Sequence, residues 1–158
     1  MSANVDGWHA QAPSVGKSRA KLDNPARPCD RRGMVTSLIS VALGGAMGAS
    51  LRYLTGLGVV RLLGHGFPLA IITVNILGSF LMGVFVVYAA KRGMTHLSPL
   101  VVTGLLGGFT TFSAFSLETV TLFERGQFGA AAAYVLISVI GSVGALVLGL
   151  WIARGVLA

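Results

Sequence analysis

Four stretches of this 158-residue chain contain no Asp, Glu, Lys or Arg: 33–51, 62–90, 93–117 and 126–153. A hydrocarbon core about 30 Å thick is crossed by roughly 20 helical residues, so each stretch suits one membrane passage. A hydrophobic fraction of 54% against 11% charged residues, with a mean hydropathy of +0.79, excludes an ordinary soluble domain. The pattern predicts an all-α membrane protein with four transmembrane helices, near 34–58, 67–90, 98–123 and 128–153. Only short loops separate them, which leaves no room for an inserted soluble domain.

The net charge of +7 does not signal a nucleic-acid partner. Six of the twelve basic residues (Lys17, Arg19, Lys21, Arg27, Arg31 and Arg32) lie in the first 32 positions, and most of the others flank spans. That distribution is membrane topology rather than a binding face. Residues 1–33, with Pro13, Pro25 and Pro28 and no apolar periodicity, are predicted to form a basic disordered tail ahead of a four-helix transmembrane domain at 34–158. An alternative start at Met34 would remove the tail. Cys29 has no partner cysteine, and His9, His65 and His96 are scattered, so neither a disulfide framework nor a metal-ligand cluster is expected.

Within the third span, the stretch Gly104-Leu-Leu-Gly-Gly-Phe-Thr-Thr-Phe-Ser-Ala-Phe-Ser-Leu-Glu118 carries what a buried helix avoids. Gly104, Gly107 and Gly108 weaken helical propensity, and the β-branched pair Thr110-Thr111 follows directly. At membrane depth, irregular backbone survives only where protein buries it or a watery cavity receives it. The expectation is therefore a third helix broken in its middle, the kind of element that binds ions and substrates.

The other spans add a mostly neutral polar set. Asn75 and Ser79 fall four apart on one helical face, and Tyr134, Ser138 and Ser142 form a hydroxyl stripe at i, i+4 and i+8. Bonding between helices would explain each of these residues as well as a polar path does. Gly44 and Gly48 make a small-xxx-small pair suited to close helix packing, and Gly141, Gly144, Ala145 and Gly149 offer a second such face. Arg52 sits a turn or two from the end of the first span, where it either snorkels to the interface or places a positive group at a vestibule. Its possible internal partner is Glu118, the only acid within a span.

No nucleophile–base pair and no carboxylate dyad occurs in the spans, so catalysis lacks its usual groups. Neutral donors on several helices suit a small ion that must enter and leave readily. Phe112 and Phe115 lie three apart on one face and could meet an anion with their electropositive ring edges. Two phenylalanines filling a core are the plainer alternative. Unwound carbonyls of Gly107 and Thr110 would be free to hold a hard cation such as Na⁺.

Three motifs then carry a resemblance: Gly44-Gly45-xx-Gly48-Ala-xx-Arg52-Tyr53, Val74-Asn75-xx-Gly78-Ser79-Phe80-xx-Gly83, and Gly107-Gly108-Phe-Thr110-Thr111-Phe112-Ser113-x-Phe115-Ser116. In this order, over about residues 37–153, the chain resembles the CrcB/Fluc fluoride channel family. The resemblance implies a four-helix subunit in an antiparallel, dual-topology dimer with two pores in the plasma (inner) membrane, in contact with lipid. It implies Phe112 and Phe115 as pore phenylalanines, Asn75 as a pore donor, and Ser113, Tyr134, Ser138 and Ser142 as the polar track. Arg52 would be the vestibule arginine, and Glu118 the glutamate just beyond the phenylalanines. Gly107 and Thr110 would give carbonyls to a structural Na⁺ at the dimer interface. The implied function is passive fluoride efflux that protects the cytoplasm. A channel or exporter for another small ion, or a membrane scaffold that transports nothing, are the alternatives.

Two features depart from the family pattern. Ala114 stands where the motif has Thr or Ser. With the N-terminus inside, basic residues divide nine against two across the membrane, favouring one orientation; starting at Met34 they divide three against two, the near balance that dual topology needs. A heterodimer with an oppositely oriented paralogue is the corresponding alternative to a homodimer.

Overall fold

The computed structural model describes residues 31–64 and 66–157. Residues 1–30 of the tail expected at 1–33, and His65, lie outside the described residues, and 31–33 form the start of α1. All regular structure among the described residues is helical: α1 (Arg31–Leu63), α2 (Leu69–Lys91), a 3₁₀ turn Thr95–Leu97, a π-helix Pro99–Leu106, α3 (Gly107–Phe109), α4 (Phe112–Glu124) and α5 (Phe128–Val156). Four segments are long and apolar enough to cross a membrane: Arg31–Leu63, Leu69–Lys91, Thr95–Glu124 and Phe128–Val156. The four-span expectation is met.

Each span ends beyond its charge-free stretch, at Leu63, Lys91, Glu124 and Val156, whereas α2, the third span and α5 begin inside theirs. α1 begins three residues before Met34 and, at 33 residues, is about 50 Å long, more than the hydrocarbon core requires. α2 and α4 stop at glycines in the left-handed region, Gly93 (φ 67°) and Gly126 (φ 72°). In each case the following N–H reaches back to a helix carbonyl, Met94 to Ala89 at 2.8 Å and Gln127 to Leu122 at 3.0 Å. A residue with a Cβ would be strained there. The Lys91 ammonium group donates to the Leu157 carbonyl and ties the end of α2 to the end of α5.

Glycine contacts set how closely the helices approach. A Cβ on Gly44 would strike the Leu100 carbonyl, and one on Gly48 would strike the Leu105 carbonyl. From the other side, a Cβ on Gly108 would come 2.7 Å from the Gly45 carbonyl. α1 is therefore seated backbone-to-backbone on the π-helix and α3. Gly83 and Gly149 do the same between α2 and α5, against the Leu146 and Phe80 carbonyls respectively. The second packing face anticipated on α5 holds at Gly141, beside Ile76, and at Gly149, whereas Gly144 meets nothing within 4 Å. The main core cluster lies between α2, α4 and α5, where Ile72, Leu122, Ala131 and a fully buried Tyr134 pack with Phe67 and Phe115.

Candidate functional site

The site is built on a change of backbone direction between α3 and α4. Thr110 (φ −80°, ψ 159°) and Thr111 (φ −153°, ψ 119°) are extended, and helical geometry resumes at Phe112. β-branched residues favour this geometry. Thr110 keeps its link backward, its N–H and its hydroxyl both donating to the Leu106 carbonyl at 3.0 Å.

Thr111 instead turns to a different helix. Its N–H donates to Asn75 Oδ1 at 2.8 Å, and Asn75 Nδ2 donates to its carbonyl at 3.1 Å. The Thr111 side chain then caps α4: its Oγ1 accepts from Ala114 N at 3.2 Å and lies 3.2 Å from Ser113 Oγ. These bonds divert both N–H groups that a continuous helix would direct to the carbonyls of Gly107 and Thr110, four residues back. Both oxygens are left without those helical donors.

An open cleft of about 380 Å³ runs beside this junction. α2 contributes Asn75, Ser79 and Met82 to its lining, α5 contributes Ser138, Val139, Ser142 and Val143, and Thr110, Thr111, Phe112 and Phe115 complete it. Among the described residues no Asp, Glu, Lys or Arg lines the cleft, so their polar atoms reach it only as neutral dipoles. The start of α4, with its partial positive end, borders it.

The phenyl rings of Phe112 and Phe115 lie 5.4 Å apart at 40°. Phe112 is 78% exposed, while Phe115 is half-buried and stacks on Tyr134 at 5.4 Å. Phe67 meets the Tyr134 ring edge-on at 5.9 Å. The Tyr134 hydroxyl and Ser138 Oγ are buried without a hydrogen-bond partner among the described residues. Such atoms cost free energy unless something polar reaches them.

Of the residues singled out from sequence, Asn75, Thr110, Phe112, Phe115, Ser138 and Ser142 converge on the cleft. Ser113 is exposed beside it, Tyr134 stands behind Phe115, and Gly107 lies one turn before the junction. Arg52 and Glu118 do not line it. Their anticipated pairing is corrected: no ion pair joins them, because α1 packs against the π-helix, α3 and α2 and does not contact α4, where Glu118 resides. Both are half-buried.

Sequence reasoning missed Met82, Val139 and Val143 as lining residues. Met82 was findable, since it falls seven residues after Asn75 on the same face. It also missed Thr111 as both clamp partner and helix cap, although a threonine three residues before Ala114 is an N-cap signal.

Comparison with known proteins gives a consistent result. A family model described as CrcB-like protein, Camphor Resistance (CrcB), matches residues 39–150. A Roseobacter denitrificans protein named fluoride-specific ion channel FluC is 68% identical over 122 residues, covering 76% of this chain and 97% of its own. Proteins of the same name from Ruegeria sp. and Jannaschia sp. are 64% and 70% identical, covering 78% and 63% of this chain and 99% and 100% of their own.

Proposed function

The chain belongs to the CrcB family, and we propose from that premise that it is a fluoride-specific ion channel, providing passive fluoride efflux from the cytoplasm and so reducing fluoride toxicity. It is a multi-pass membrane protein and a channel, not an enzyme. The observation that carries the chemistry is the neutral cleft, lined by two phenylalanines, one amide and several hydroxyl residues and, among the described residues, by no charge.

A small anion shedding water at this site would find donors in series. Asn75 Nδ2 gives one hydrogen to Thr111 and retains a second. The orphaned hydroxyls of Tyr134 and Ser138, with Ser142 a turn further on, would offer O–H groups to it. Phe112 and Phe115 would present electropositive ring edges, which attract an anion without the strong binding that a fixed cation would impose. Ser113, at the exposed start of α4, would extend the hydroxyl track. Arg52, outside the cleft, would act as a vestibule charge that draws anions to its mouth, and Glu118 would lie just beyond the rings.

The functional unit is an antiparallel, dual-topology dimer in the plasma (inner) membrane, either a homodimer or a pair with an oppositely oriented paralogue. Supporting a second subunit is the exposure of Phe112, a ring assigned here to a pore wall. The third span works as a broken helix, and its released oxygens fit a structural Na⁺ at the dimer interface. Gly107 and Thr110 offer neutral carbonyls stripped of their helical donors, the ligand type hard cations take. Bound there, Na⁺ would supply a fixed positive charge holding the two helix halves and the two subunits together.

The test is fluoride efflux from liposomes under a K⁺ gradient with valinomycin, followed with a fluoride electrode. Rapid fluoride release with chloride retained is expected. Equal passage of chloride would point to a different small-ion channel, and retention of both ions by a folded dimer would overturn the assignment.

A further inference from the structure

We infer that Asn75 is a positioning residue whose carboxamide holds the Thr111 backbone out of the helix and thereby keeps the Gly107 carbonyl available to the cation. This rests on the channel and the Na⁺ site proposed above and adds a coupling between them. The Thr111 N–H has two competing acceptors: the Gly107 carbonyl four residues back, which would close the helix, and Asn75 Oδ1 across the interface. It goes to Asn75, at 2.8 Å. Asn75 also donates to the Thr111 carbonyl at 3.1 Å, so both backbone polar groups of that residue are satisfied away from the helix axis.

Removing the carboxamide would leave the Thr111 N–H without an acceptor in an apolar setting, and the nearest remedy is the Gly107 oxygen. The carbonyl would then be spent on a hydrogen bond. Asn75 lines the cleft as well, so one side chain serves the wall of the anion path and the geometry of the cation site. A residue that only donates to the anion would affect flux and nothing else.

The experiment compares full-length wild type, Asn75→Leu and Ser138→Ala. Its first readout is the NaCl concentration giving half of the thermal stabilisation in detergent, with N-methylglucamine chloride holding ionic strength constant. Fluoride efflux is measured separately. Asn75→Leu should raise the Na⁺ midpoint about tenfold, as two lost hydrogen bonds imply, whereas Ser138→Ala should lower efflux and leave the midpoint in place. An unchanged midpoint in Asn75→Leu, with a Na⁺-dependent wild type, overturns the inference while the channel assignment stands. A wild type whose stability ignores Na⁺ removes the cation site and the inference together, and its efflux still reports on the channel.

Should the leucine variant fail to fold, amide exchange of ¹⁵N-threonine-labelled wild type replaces it. The Thr111 N–H should exchange slowly in Na⁺ and in N-methylglucamine alike, because Asn75 holds it. Protection that vanishes without Na⁺ would mean that the cation orders the junction, and would overturn the role given to Asn75.

Discussion

Asn75 on α2 exchanges two hydrogen bonds with the backbone of Thr111, accepting its N–H at 2.8 Å and donating to its carbonyl at 3.1 Å. In a bilayer an unpaired backbone group costs several kcal/mol, so an extended residue between two helix halves needs a dedicated partner. An asparagine supplies donor and acceptor from one planar group. The pair explains how two threonines can leave helical geometry within a membrane span.

The two phenylalanines should separate function from stability differently. Phe112→Ile should leave the melting temperature within a few degrees of wild type, since the ring is 78% exposed in the subunit. Phe115→Ile loses its stacking on Tyr134 and should cost about 1–2 kcal/mol. Efflux from liposomes should fall at least about tenfold in both, on the order of 1.4 kcal/mol of barrier. Normal efflux from either variant would remove that ring from the conduction path.

Tyr134→Phe and Ser138→Ala delete hydroxyls that have no partner among the described residues. No protein hydrogen bond is lost, so thermal stability should hold or rise by up to about 1 kcal/mol. Fluoride efflux should nonetheless drop. Loss of stability in either variant would instead mean that the hydroxyl bonds a second subunit or an ordered water.

Thr111→Val keeps the β-branched shape and removes the oxygen that accepts from Ala114 N. The expected cost is about 1 kcal/mol, the usual worth of an N-cap, and Thr111→Ser should recover most of it. Thermal unfolding of the three proteins in one detergent checks both statements.

Gly48→Ala should be among the most damaging single-methyl changes, because the new Cβ would meet the backbone of Leu105 and Phe109, which cannot rotate away. Overpacking of this kind costs roughly 1–3 kcal/mol. Gly56→Ala, in the same helix and facing open space, should be neutral or slightly stabilising. Equal behaviour of the two variants would contradict the seating of α1 on the π-helix.

Topology is testable with reporter fusions at the C-terminus. The full chain should report one orientation and a form starting at Met34 a mixture, because basic residues divide nine against two in the first and three against two in the second. A single orientation for both forms would sink this tail-dependent account of topology.

Much of this protein follows from sequence by itself. Charge-free runs determine four membrane passages, since a hydrocarbon core admits few alternatives to apolar helices of about 20 residues. Helical spacing alone aligns Ser138 with Ser142 and Phe112 with Phe115, because side chains three or four apart share a face. What required the tertiary structure is everything that depends on which helix faces which. Arg52 and Glu118 look like partners by charge alone, yet α1 and α4 are not neighbours. Asn75 and Thr111 are 36 positions apart, and nothing local at either residue announces a reciprocal pair. The π-helix at Pro99–Leu106 is equally silent in sequence; it lies where Gly44 and Gly48 let α1 come down onto it. Hydropathy records how far each residue prefers lipid to water, whereas hydrogen-bond partners between helices are fixed only when glycine contacts bring the backbones together.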